Sequence, residues 1–148
     1  MGVYCKIFIR FEKNFWGQKS HFFIASENKG EYPYWIPVAD DIVICVVTGE
    51  QAKRVEKMES DQVKDEILNL IKKAYGISNH ILDIHVPKWS TNPRFLGTYS
   101  FFPTGALKND YEEFYAPVKC IHFAGEAFCK NYKAYLHGAY NTGEDAAL

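Results

Sequence analysis

Val3-Tyr4-Cys5-Lys6-Ile7-Phe8-Ile9-Arg10-Phe11 divides by a period of two: Val3, Cys5, Ile7, Ile9 and Phe11 fall on one side, and Tyr4, Lys6, Phe8 and Arg10 on the other. That alternation predicts a strand with one continuous apolar face. Lys6 is the odd member of its side, flanked by Tyr4 and Phe8, so it points either into solvent or at something aromatic. Ile42-Val43-Ile44-Cys45-Val46-Val47 is apolar on both faces and predicts a central strand covered on both. Between them, His21–Ser26 and Tyr32–Ile36 read as a hairpin turning at Asn28-Lys29-Gly30.

Helices follow. Gln51–Lys57 is a short one, and Ser60 is placed to cap a longer one over Asp61–Ala74, where Val63, Ile67, Leu70, Ile71 and Ala74 share a face and Gly76 supplies the stop. Strands are expected at Ile81–Val86, Phe95–Phe101 and Lys119–Gly125, with Trp89–Pro93 irregular and Pro103-Thr104-Gly105 a break. Tyr135–Leu148 reads as a helix whose Gly138, Ala139, Gly143, Ala146 and Ala147 let it approach a neighbour closely. Without a capping glycine at Leu148, that helix is expected to continue. The fold class is therefore α+β: a mixed, largely antiparallel sheet with helices on one face, then a terminal strand and helix.

Seventeen basic against eighteen acidic residues give a net charge of −1, which argues against a general nucleic-acid or anionic-membrane binder. Ile42–Val47 is the longest apolar stretch, too short to cross a bilayer, and Met1–Arg10 alternates instead of forming a signal-peptide core. A soluble chain is expected, with no compartment assigned. Aromatic residues reach 16%, an excess that serves either packing or an aromatic-lined pocket. Cys5, Cys45, Cys120 and Cys129 form no Cys-x-x-Cys pair and are expected to be buried free thiols, with disulfides or catalysis the alternatives. The five histidines lack metal-ligand spacing, so no metal site is expected.

The informative stretch is His122-Phe123-Ala124-Gly125-Glu126-Ala127, followed by Tyr132-Lys133-Ala134-Tyr135-Leu136-His137-Gly138-Ala139-Tyr140-Asn141-Thr142-Gly143. It resembles the C-terminal flavin-binding signature of the flavin-containing amine oxidases, and is most similar to their polyamine oxidase branch. Lys88-Trp89, Gly97-Thr98-Tyr99-Ser100, Pro103-x-Gly105 and Ala116-Pro117-Val118 match that branch in order. The opening Val3-Tyr4-x-Lys6-Ile7-Phe8 with Phe15-Trp16 resembles its strand bearing the active-site lysine. The resemblance implies a substrate-binding domain portion over 1–107 and a C-terminal FAD-binding segment over 108–148, an incomplete Rossmann-like domain.

The resemblance also implies roles. Lys6 matches the lysine that holds a water beside the flavin, and is expected to lie buried, where desolvation eases loss of its proton. Tyr99 and Tyr135 match the aromatic pair that sandwiches the substrate amine; with Lys6 they form the catalytic set. Tyr4 matches another substrate-lining position. Trp89, Gly125, Glu126, Tyr135 and Leu136 match cofactor-contacting positions, Leu136 through its backbone N–H. Taken alone, Tyr99, Tyr135 and Trp89 read as core packing, and Glu126 as a helix-capping carboxylate. His137 is expected to face a neighbouring strand and be satisfied there by a hydrogen bond.

Two departures stand out. Gly-x-Gly-x-x-Gly, the family's pyrophosphate-binding element, is absent from the 148 residues. Ala134 stands where the branch usually has glycine, and its methyl is expected to shift the helix start or narrow the pocket. The implied function is the C-terminal portion of an FAD-dependent amine or polyamine oxidase using dioxygen. An N-terminal FAD-binding portion, on the parent chain or a separate one, would be its partner. The alternative is a non-catalytic homologue acting as a structural or interaction subunit. Because Phe123, Tyr140 and the small-residue helix face would dock against that partner, they are expected to be exposed.

Overall fold

In a computed structural model describing residues 1–147, with the backbone alone at 108, 109 and 111, the chain divides into two units, Val3–Gly97 and Met1–Gly2 with Thr98 onward. In the first unit β1 (Tyr4–Phe11) pairs with β4 (Ile42–Thr48), setting Cys5 opposite Val47, Lys6 opposite Val46 and Ile7 opposite Cys45. With β2 (Phe22–Phe23), β3 (Tyr34–Pro37) and β5 (Ile81–His85) they make a five-stranded sheet in the order β2-β3-β4-β1-β5. Every pairing among the described residues is antiparallel, so the sheet is not mixed.

The apolar side of β1 meets α1 (Gly49–Glu56) and α2 (Ser60–Tyr75): Cys5, Ile7, Ile9 and Phe11 share one core with Ala52, Val55, Val63, Ile67 and Ile71. Each of the larger side chains contributes about 1.5–3 kcal/mol by leaving water. β4 is central, as its composition requires, but its second face is thinly covered: Val46 is buried while Ile42 and Ile44 are half-exposed. Ala74 is exposed, outside the buried stripe of α2. That helix begins one residue earlier than expected, with Gln62 Oε1 accepting the Glu59 N–H at 3.1 Å, and it ends at Gly76 with φ +67°.

The hairpin forms with shorter strands. Tyr32 sits at φ +42° with Pro33 behind it, so β3 waits until Tyr34. The buried Tyr32 phenol donates to Glu66 at 2.6 Å, and Arg54 forks onto the same carboxylate at 2.8 and 2.9 Å. The strand expected at Phe95–Phe101 does not form: Leu96 at φ +57° and Gly97 at φ +149° break extended backbone, leaving one bridge from Tyr99 to Gly2.

The second unit holds α3 (Lys108–Tyr115), a 3₁₀ turn at Glu126–Phe128 and α4 (Leu136–Ala147). α3 has no counterpart in the sequence reading; Asp110 starts it by accepting the Leu107 N–H at 2.8 Å. The strand expected at Lys119–Gly125 is reduced to a bridge between Val118 and Ile121, because Lys119 at φ +56° reverses the chain at once. That reversal exposes Cys120, contrary to expectation, whereas Cys5, Cys45 and Cys129 are buried; all four are free thiols. Phe123 and Tyr140 are exposed, as expected. Leu148, where the helix expectation ended, lies outside the described residues.

The close approach expected of the small-residue helix occurs at Gly138, where a Cβ would lie 2.1 Å from the Tyr132 carbonyl oxygen, while Gly143 meets nothing within 4 Å. Gly138→Ala should therefore destabilise this unit by about 1–3 kcal/mol through overpacking. Gly143→Ala should stabilise it by up to about 1 kcal/mol through helix propensity. Urea denaturation followed by circular dichroism reads both, and the reverse ranking would contradict the packing described.

Candidate functional site

In the first unit, the face of β1 turned away from the helices carries Tyr4, Lys6, Phe8 and Arg10. Cross-strand register extends it into rows: Lys6 beside Val46 and then Tyr34, Phe8 beside Ile44 and then Ile36, with His85 on the other side of Phe8. Lys6 is exposed, and its ammonium lies 5.8 Å from the Tyr4 ring centroid. Of the two readings of Lys6, both hold in part: it faces an aromatic ring and it reaches solvent. The burial expected of it is not present in this chain.

Trp89 is 39% exposed and meets Phe95 edge-on, at 5.0 Å between centroids, so it is not a core residue here. Its position follows from a carboxylate that the sequence reading did not single out. Glu56 is 1% exposed; its Oε2 accepts both the Ser90 N–H at 2.7 Å and the Ser90 hydroxyl at 2.6 Å. Its Oε1 is buried with no donor among the described residues. Helical spacing carries a signal that could have found it, since Ala52, Val55 and Glu56 fall on one stripe. Nearby, burial first and the Glu56 charge second push the Cys5 thiol up to about 12. That is the behaviour of an inert packed thiol.

In the second unit the organising group is Glu126, at the start of the 3₁₀ turn. Its Oε1 accepts the Ser100 N–H at 2.9 Å, and its Oε2 accepts the Ser100 hydroxyl at 2.6 Å and the Ala134 N–H at 2.7 Å. Burial works to raise this carboxyl, but those three donors and the Lys133 ammonium outweigh it and hold the group below its ordinary value. Lys133 lies 3.6 Å from the Phe102 ring centroid, and burial draws its ammonium below the usual range against the pull of Glu126. Beside it, a cavity of about 430 Å³ is lined by Phe102, Phe114, Asp110 and Lys133.

Tyr99 and Tyr135 each sit next to a residue bound by Glu126. Tyr99 is 36% exposed and Tyr135 61%, so core packing explains neither ring. Ala134 adopts φ +67°, the left-handed conformation in which glycine avoids a penalty of about 1 kcal/mol or more; this is a physical reason for glycine there. Leu136 is the first residue of α4, the helix end whose N–H groups lack intrahelical acceptors. Gly125 stands at φ +137°, and its N–H donates to Thr142 Oγ1 of α4 at 3.0 Å. His137 is exposed and lies against two rings, Tyr132 at 4.5 Å and Tyr135 at 5.3 Å, instead of against a strand.

The sequence-derived residues thus gather as Tyr4, Lys6 and Trp89 in one unit, and Tyr99, Gly125, Glu126, Tyr135 and Leu136 in the other. The features that suit a flavin are an exposed helix N-terminus at Leu136 and the acceptor capacity left on Glu126 Oε1, which carries one of the three bonds. Among the described residues no group of His, Cys, Asp or Glu is able to hold a metal, and no helix is long and apolar enough to cross a membrane.

A family model described as flavin containing amine oxidoreductase matches residues 1–148. Polyamine oxidase 1 of Zea mays is 35% identical over 99% of this chain and 31% of its own length. Polyamine oxidase 6 of Oryza sativa subsp. japonica is 34% identical over 99% of this chain and 32% of its own length. Among solved structures, a putrescine oxidase bound to putrescine matches with a TM-score of 0.76 at 21% identity, covering 99% of this chain and 34% of that one. The chain therefore spans about a third of the length of the relatives it matches.

The Glu126 bonds have a signature in acid. Because its folded pKa is depressed, the stabilisation is complete above the ordinary carboxylate value of 4.5. It fades as the unfolded state takes up its proton first, and is gone once the pH has fallen through the folded value. Urea denaturation across this range should give a curve that Glu126→Gln flattens. An unchanged slope in the variant would show that the three bonds carry no ionic stabilisation.

Proposed function

Because the chain belongs to the flavin-containing amine oxidoreductase family, we propose that it forms the substrate-domain and C-terminal part of an FAD-dependent oxidase of an amine or polyamine, with dioxygen as reoxidant. The observation that carries this reading is the pair Tyr99 and Tyr135: two exposed phenol rings, each adjoining a residue held by one carboxylate. Exposed aromatic faces accept an amine or ammonium through their π density, and apolar surroundings favour the neutral amine. In the other unit Tyr4 presents a ring beside Lys6, whose ammonium can hold a water and pass a proton to or from it.

Cofactor contacts would come from Trp89 along the ring system, from Glu126 to a ribose hydroxyl, from the backbone of Gly125 and from the Leu136 N–H. The positive end of α4 suits an acceptor that gains negative charge. When bound, FAD supplies the hydride acceptor for the carbon next to the amine nitrogen. Since the glycine-rich fingerprint is absent from this sequence, a further portion of the protein, on the same or a separate chain, would hold the pyrophosphate.

The test is steady-state hydrogen peroxide release by the whole protein with a diamine or polyamine. Tyr135→Ala should raise KM on the order of tenfold, with Tyr135→Phe restoring most of the loss. Lys6→Met should act mainly on kcat. Variants indistinguishable from the parent would remove these residues from the site.

A further inference from the structure

Tyr99 and Tyr135 lie far apart in sequence, yet one side chain touches the backbone next to each. Glu126 takes the N–H and hydroxyl of Ser100, directly after Tyr99, and the N–H of Ala134, directly before Tyr135. We infer that Glu126 is a positioning residue that fixes the two tyrosines relative to one another, and so sets the aromatic slot that receives the amine; this rests on the oxidase reading above.

Each tyrosine is also secured on its other side. The Tyr99 carbonyl accepts the Gly2 N–H at 2.7 Å, and the Thr98 N–H returns to the Gly2 carbonyl at 2.9 Å. A Cβ at Gly2 would lie 2.6 Å from the Tyr99 ring, so the ring lies directly over that glycine. The Tyr135 N–H donates to the Tyr132 carbonyl at 3.2 Å, and the Tyr135 carbonyl accepts the Gly138 N–H at 3.0 Å. With both neighbourhoods anchored separately, the Glu126 carboxylate hydrogen-bonds to both, and the Lys133 ammonium over the Phe102 ring is a second, less directional link between them. An ionised carboxylate suits this work, since bonds to a charged acceptor are shorter and stiffer than neutral ones and three of them define a direction as well as a distance.

A ligand to the cofactor need not couple the two rings, whereas a clasp must. The experiment places 3-fluorotyrosine singly at 99 or 135 in the full chain and follows its ¹⁹F resonance. Ser100→Ala removes a donor at the Tyr99 end only. The expected result is that it shifts both resonances, and that in a Glu126→Gln background it no longer shifts the one at 135, with far-UV circular dichroism unchanged. Movement confined to position 99 in both backgrounds would overturn the proposal. Should Glu126→Gln fail to fold, Ser100→Ala alone still decides whether position 135 responds. In the flavin-loaded whole protein, Glu126→Gln should lower kcat on the order of tenfold to a hundredfold, as a misplaced substrate requires. Coupled resonances in a protein that oxidises no amine would uphold the clasp and defeat the oxidase reading. Amine oxidation with independent resonances would do the opposite.

Discussion

The register between β1 and β4 is the constraint from which the first unit follows. With Ile7 opposite Cys45, the side chains of Cys5, Ile7, Ile9 and Phe11 enter the helix-covered core, and Tyr4, Lys6 and Phe8 emerge on the other face. A slip of one residue would exchange the two sets, because side chains alternate strictly along a strand. It would drive the Lys6 ammonium under α1 and α2, a charge buried without a partner. The core and the placement of Lys6 are thus a single decision. The same register aligns Tyr34, Val46 and Lys6 across three strands, so the aromatic character of that face is inherited from the pairing.

The two units are held together internally by different forces. In the first, buried apolar side chains run from Val3 to Val86; beyond Val86, Cys129 alone joins the buried hydrophobic residues described. The second unit relies more on directed polar contacts, Glu126 to Ser100 and Ala134 and Gly125 to Thr142, together with the close approach allowed by the bare Gly138 and the stacked rings of Phe114, Phe123 and Phe128. The polar contacts fix geometry without covering surface. Tyr99, Phe123, Tyr135 and Tyr140 can therefore stay exposed while their backbones are specified. A surface meant to meet substrate or another portion of protein needs that combination.

Elements with strong local periodicity were legible in the sequence. β1, β4, the stripe of α2 and its Gly76 stop all follow from spacing and from a single left-handed glycine. The two missing strands share one cause. Phe95–Phe101 and Lys119–Gly125 have strand composition, but Leu96 and Lys119 take left-handed backbone that no propensity announces. Cys120 is exposed for the same reason. Glu56 carries no motif, and only its helical position, on the stripe of Ala52 and Val55, places it inward. The candidate site was suggested only through motif order: nothing in the spacing of Ser100, Glu126 and Ala134 says that they meet. Once they are placed, the carboxylate that the motif associates with cofactor is seen to hold both tyrosine neighbourhoods.

The most direct test is the visible absorption spectrum of the whole protein with FAD, taken anaerobically before and after addition of a polyamine. The account predicts a bound flavin spectrum that the amine bleaches and that returns on admitting dioxygen, the electrons having passed from the carbon next to nitrogen to the flavin. A flavin that dithionite bleaches but no amine does would contradict it, leaving the aromatic pair without an amine to hold.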